Sequence, residues 1–126
     1  MDINKQSYTG EAGLTEIPPT LLSPYGSKYG VVLGNDHHYS TLVLLINRQG
    51  IHARPSAMIV NLASQYNECE IWAERGNEKI NAKDILAWMT LEAPFGTEVK
   101  LTAKGKSCAE VLEKMVILFN SKFNED

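Results

Sequence analysis

From Thr41 onward the hydrophobic period of this chain keeps switching between two residues and about 3.6, each time after only a few residues. TLVLLIN is a short apolar run that ends in Asn-Arg-Gln-Gly and reads as a strand entering a turn. Pro55, Ile59, Leu62 and Tyr66 then recur at helical spacing, with Met58 and Ala63 flanking the same face. CEIWAE alternates, with Cys69, Ile71 and Ala73 on one side, and Gly76-Asn77 supplies the turn into a second short strand. Asp84 stands before ILAWMTL, where a carboxylate is a good helix N-cap. Pro94 and Gly96 break the chain, and TEVKLTA alternates again with Val99, Leu101 and Ala103 on one face. Ser107 and Glu110 have capping-box spacing ahead of a helix whose stripe is Val111, Leu112, Met115, Val116 and Phe119. The order is βαββαβα. Strands with one apolar face and helices with one apolar stripe bury both most economically as an α+β open-faced two-layer sandwich, a four-stranded, mainly antiparallel sheet with three helices on one face.

Residues 1–39 have a different character, with scattered Gly, Pro, Ser and Tyr and no sustained period, and read as an irregular arm outside the core of a domain at 40–126. Within the arm, residues 31–33 (VVL) form a short strand if they find a sheet edge. Gly26, Gly30 and Gly34 do not match a phosphate-cradling loop. Asp36, His37 and His38 lack a distant ligand partner, so they read as solvated loop residues, and no metal or cofactor is expected. Cys69 and Cys108 are too far apart for a CxxC motif and too few for a disulfide framework, so two reduced, partly buried thiols are expected. A net charge of -3 offers no electrostatic footprint for nucleic acid. With no apolar run of membrane-spanning length and no leader-like N-terminus, the default is a soluble cytoplasmic monomer.

The strand-to-helix junction GIHARPSAM carries the chemistry. It places His52 at or beside a helix N-cap, where first-turn N–H groups lack partners and the helix dipole favours an anion. Pro55 suits the first turn because its missing N–H would have had no intrahelical partner there. Arg54 adds a fork of donors fitted to phosphate oxygens, and imidazole supplies a nitrogen that is nucleophilic when neutral. Two readings follow from these residues, a histidine that takes up and surrenders a phosphoryl group, and a histidine that only caps a helix.

Gly50-Ile51-His52-Ala53-Arg54-Pro55-Ser56-Ala57 resembles the active-site motif of HPr, the histidine-containing phosphocarrier family of the bacterial phosphotransferase system. The segment Ile80 to Leu91, INAKDILAWMTL, resembles that family's regulatory region in register, and the similarity spans about residues 41 to 123. The resemblance implies a carrier rather than an enzyme, phosphorylated on Nδ1 of His52 by enzyme I and discharged to IIA components of sugar permeases. Arg54 would stabilise the transferred group, with Ala53 and Gln49 helping to form its pocket. Ile85, Leu86, Met89 and Thr90 would supply an apolar docking patch. Asp84 stands where many members carry a regulatory serine, which leaves a second reading. In that reading the chain is a regulatory binding module, its carboxylate imitating a phosphoserine toward regulatory proteins. Glu92 replaces a glycine common after this helix.

Overall fold

The computed structural model describes residues 15–16, 31–34 and 36–125; most of the arm, with Gly26 and Gly30, lies outside the described residues. Two short strands, β1 (Thr15–Glu16) and β2 (Val32–Leu33), precede β3 (His38–Leu44). Next come α1 (Ala53–Ala63), β4 (Glu70–Arg75), β5 (Glu78–Asn81), α2 (Ile85–Thr90), β6 (Glu98–Lys104) and α3 (Ala109–Asn120). A short left-handed turn, Lys122–Asn124, follows α3 and leads to Glu125.

The strands β3, β6, β4 and β5 form the expected antiparallel four-stranded sheet, in that order. β6 lies at its centre, pairing along its whole length with β3 on one side, His38 opposite Lys104 through Leu44 opposite Glu98. On the other side it pairs with β4, Glu70 opposite Lys104. The arm adds to the outer edge of β3: Val32 and Leu33 pair with Ser40 and Tyr39, and β1 pairs with β2. The residues 31–33 thus find a sheet edge, and Val31, 1% exposed, is buried with the domain core. A tight turn joins β2 to β3 through Asp36 and His37, both at positive φ. β3 itself begins at His38, earlier than the apolar run suggested, because ladder bonds to β6 extend past the hydrophobic residues.

The alternation fixes which face is buried. Val43, Ile71, Ala73, Val99, Leu101 and Ala103 all point into one core, which meets the α3 stripe Val111, Leu112, Met115, Val116 and Phe119. Trp88 of α2 is completely buried, and its indole N–H donates to the Ala82 carbonyl at 2.9 Å, so a large ring enters the core without an orphaned polar atom.

Two local expectations are corrected. The Ser107–Glu110 capping box does not form. Ser107 takes a positive φ of 64°, Cys108 is the N-cap residue of α3 without a side-chain cap, and Glu110 instead accepts from the Tyr66 hydroxyl at 2.7 Å and pairs with Lys114. The cysteines are not free thiols: Cys69 and Cys108 form a disulfide between the start of β4 and the start of α3. The Glu70–Lys104 pairing brings these termini together, and the turn at Gly105 folds Cys108 back until the two Cα atoms are 5.9 Å apart, within the range a disulfide spans. Gly105 permits this approach, since a Cβ there would stand 2.7 Å from Cys108 Sγ.

The cross-link closes a loop across a sequence separation of 39. Constraining the unfolded chain over that length is worth about 4 kcal/mol on the chain-entropy model. Urea unfolding with and without a dithiol reductant will show a loss of that order on reduction, with secondary structure retained at zero denaturant. An unchanged midpoint would show that the bond adds nothing to stability.

Candidate functional site

β3 runs out at Leu44, and the chain must reverse within a few residues to start α1. Asn47, fully buried, organises that turn: its carbonyl accepts from the Gly50 N–H at 3.1 Å and its side-chain amide donates to the Gly50 carbonyl at 2.8 Å. Gly50 has a φ of +66°, and a Cβ there would collide with the Ala93 carbonyl and stand 2.7 Å from Pro94 Cα. Ile51 N–H then donates to the same Ala93 carbonyl at 2.8 Å. The turn is clamped against the segment after α2, and only glycine fits at its tightest point.

His52 follows as the N-cap residue of α1 in an extended conformation, φ -143° and ψ -165°. Its carbonyl accepts the Ser56 N–H at 3.0 Å, but its side chain makes no cap. The ring reaches instead to the C-terminal end of the described chain, with Nε2 3.0 Å from Glu125 Oε1. Asn47 donates its amide to the same oxygen at 3.0 Å. Arg54 Nη1 donates to the Phe123 carbonyl at 2.8 Å and lies 3.4 Å from Glu125 Oε2. His52 is one-third exposed and Arg54 about half exposed, whereas the Glu125 side chain is largely covered. Hydrogen bonds from the Asn47 amide and then from His52 hold the Glu125 carboxyl below its ordinary range, and the Arg54 charge adds to them.

A costly backbone path presents Glu125. Lys122, Phe123 and Asn124 all have positive φ, 59°, 55° and 58°. Each residue held there costs roughly 1–2 kcal/mol. Burial of Phe123, whose ring packs edge-on to Phe119 at 4.9 Å, offsets that strain and anchors the tail.

Of the residues singled out from the sequence, His52, Ala53 and Arg54 are brought together at the start of α1. Ala53 and Arg54 provide the helix's first backbone N–H groups, since Pro55 has none. Gln49 is exposed in the turn before Gly50 and makes no hydrogen bond to His52 among the described residues. Asp84 accepts the Ala87 N–H at 3.2 Å as the N-cap of α2. Ile85, Leu86 and Met89 are exposed at 39%, 69% and 44%, and Thr90 is exposed beside them, on a helix that packs against α1. Glu92 takes the positive φ, 58°, that a glycine would adopt without strain. Sequence reasoning missed Asn47, Phe123 and Glu125; the last two lie some seventy positions from His52 and form part of no local motif.

A family model described as PTS-HPr, PTS HPr component phosphorylation site, matches residues 39–121. The chain belongs to the HPr family. It is 37% identical over 84 residues to the phosphocarrier protein HPr of Treponema pallidum, covering 67% of this chain and 94% of that one. It is also 38% identical over 68 residues to the HPr-like protein Crh of Bacillus subtilis, covering 54% of this chain and 79% of Crh. Among solved structures, HPr-C-His from Thermoanaerobacter tengcongensis superposes with a TM-score of 0.65 at 39% identity, covering 69% of this chain and 97% of that one. The α+β open-faced sandwich is thus the HPr fold, and the extra residues are chiefly N-terminal to it.

Two predictions come from this geometry. Gly50→Ala has both a forbidden φ and a backbone collision, so it will cost about 3 kcal/mol or more in urea unfolding; a loss near zero would mean that the Asn47–Gly50 turn is not tightly held. Glu125 titrates lower in the folded state than its ordinary value near 4.5. Its contribution to stability is therefore fully present above that value and lost as pH falls through the depressed one. Wild type and Glu125→Gln will differ in unfolding free energy at neutral pH and converge as pH falls through the depressed value; a gap that does not narrow in acid would rule out the carboxylate as the interacting form.

Proposed function

We propose that this chain is a phosphoryl carrier that receives a phosphoryl group on Nδ1 of His52 from phospho-enzyme I and passes it to IIA-type acceptors in sugar uptake. The observation that carries this reading is the state of the His52 ring. It sits at a helix N-cap without capping, Nε2 is engaged by Glu125, and Nδ1 has no hydrogen-bond partner among the described residues. Transfer then needs only an in-line encounter. The Nδ1 lone pair forms the new N–P bond while the donor's P–N bond breaks and its electron pair returns to the donor ring.

The residues around the ring suit the transferred group. Its oxygens meet the Ala53 and Arg54 backbone N–H groups, the positive end of α1 and the half-exposed Arg54 guanidinium, with Gln49 at the rim. Exposed Ile85, Leu86, Met89 and Thr90 form the docking patch, whose moderate size fits partners that must bind and leave quickly. The carrier has no turnover chemistry of its own, works as a monomer in the cytoplasm, and draws the end of the segment expected as an arm, Val31 to Tyr39, into the sheet and core of its domain. Reducing conditions there would open the Cys69–Cys108 bond, so the thiol form has to be stable enough to function. The alternative, a regulatory module with Asp84 standing in for a phosphorylated serine, gains no support from the geometry, because the carboxylate is already used as the α2 cap.

Intact-mass analysis after incubation with enzyme I and phosphoenolpyruvate tests the carrier reading. Wild type will gain one acid-labile phosphate and His52→Ala will gain none. Absence of the gain in folded wild type would reject it.

A further inference from the structure

We propose that Glu125 is a positioning residue for phosphoryl transfer, holding the proton of His52 on Nε2 so that Nδ1 always presents its lone pair. The inference rests on the carrier reading of His52 and deepens it. A neutral imidazole carries one proton and can place it on either nitrogen, so a ring meant to react at Nδ1 loses activity whenever the proton sits there. A carboxylate can only accept, and Glu125 Oε1 lies 3.0 Å from Nε2, which makes that nitrogen the donor.

Three features make this contact a built one. Fully buried Asn47 holds the same carboxylate oxygen at 3.0 Å, and its amide is fixed in turn on the Gly50 carbonyl. Arg54 grips the Phe123 carbonyl at 2.8 Å, two residues before Glu125. The strained, left-handed path through Lys122, Phe123 and Asn124, anchored by the buried Phe123 ring, turns the tail back toward α1.

The role extends through transfer. When Nδ1 forms its bond to phosphorus, the Nε2 proton stays where it is and the ring becomes a phosphoimidazolium. Its positive charge then faces the Glu125 carboxylate. On discharge the P–N bond breaks, its electron pair returns to Nδ1, and the same Nε2–H tautomer is regenerated ready for the next donor.

The test combines nitrogen-15 spectroscopy of the histidine rings with the phosphorylation assay, using Glu125→Ala and Glu125→Gln in the full chain. Wild type at a pH where the ring is neutral will show His52 almost wholly as the Nε2–H tautomer. Glu125→Ala will show a mixture of tautomers and a several-fold slower uptake from phospho-enzyme I, both read well below its lowered thermal midpoint so that folded proteins are compared. Glu125→Gln, whose amide oxygen can still accept, will restore much of the tautomer preference. A Glu125→Ala protein with the wild-type tautomer pattern overturns the proposal, as does one with an altered pattern but wild-type uptake. If no variant takes up phosphate while the tautomer shift is seen, the carrier reading fails and the control of the ring by Glu125 stands.

Discussion

The side-chain amide of Asn47 is the interaction on which the site depends. It is completely buried, it closes the turn that reverses the chain after β3, and it holds the carboxylate that reaches His52 from the other end of the sequence. A buried amide left without acceptors costs about 1–3 kcal/mol, so turn and tail are each favoured by the need to satisfy the same two N–H bonds. The turn also fixes Gly50 against Ala93 and Pro94, and through them the segment leaving α2. One amide therefore ties together the start of α1, the approach to β6 and the chain end.

The sheet and its helices were legible because their signals are local. Alternation in CEIWAE and TEVKLTA, and the stripe from Val111 to Phe119, each state which face is buried within a few residues, and the core contains those faces. Elements whose form depends on distant partners were not legible. Ser107 and Glu110 have capping-box spacing, but the turn at Gly105 and the cross-link at Cys108 place Ser107 at positive φ, and Tyr66 takes Glu110 away. The disulfide itself is a consequence of register: only when Glu70 is opposite Lys104 do Cys69 and Cys108 come within reach.

The site divides in the same way. His52, Arg54 and Pro55 announce themselves because a helix start has a compact sequence signature. Glu125 does not, since its approach depends on the length of α3, the burial of Phe123 and a left-handed turn that no propensity would suggest for Lys-Phe-Asn. Asp84 was legible as a cap from its type and position, and the bond to Ala87 N–H is that cap.

The arrangement of charge around His52 is balanced rather than maximally attractive, which is what the proposed carrier role requires. Helix N–H groups and a half-exposed arginine favour a phosphoryl group, but arginine at the surface is screened by solvent and already engaged by the Phe123 carbonyl. The Glu125 carboxylate stands on the Nε2 side of the ring, where, if His52 is phosphorylated as proposed, it would support the resulting cation and repel the phosphoryl oxygens across it. A site that bound those oxygens more tightly would accept the group faster and release it more slowly. The proposed docking patch follows the same logic, because α2 buries Trp88 to stay in place while leaving Leu86 and Met89 exposed.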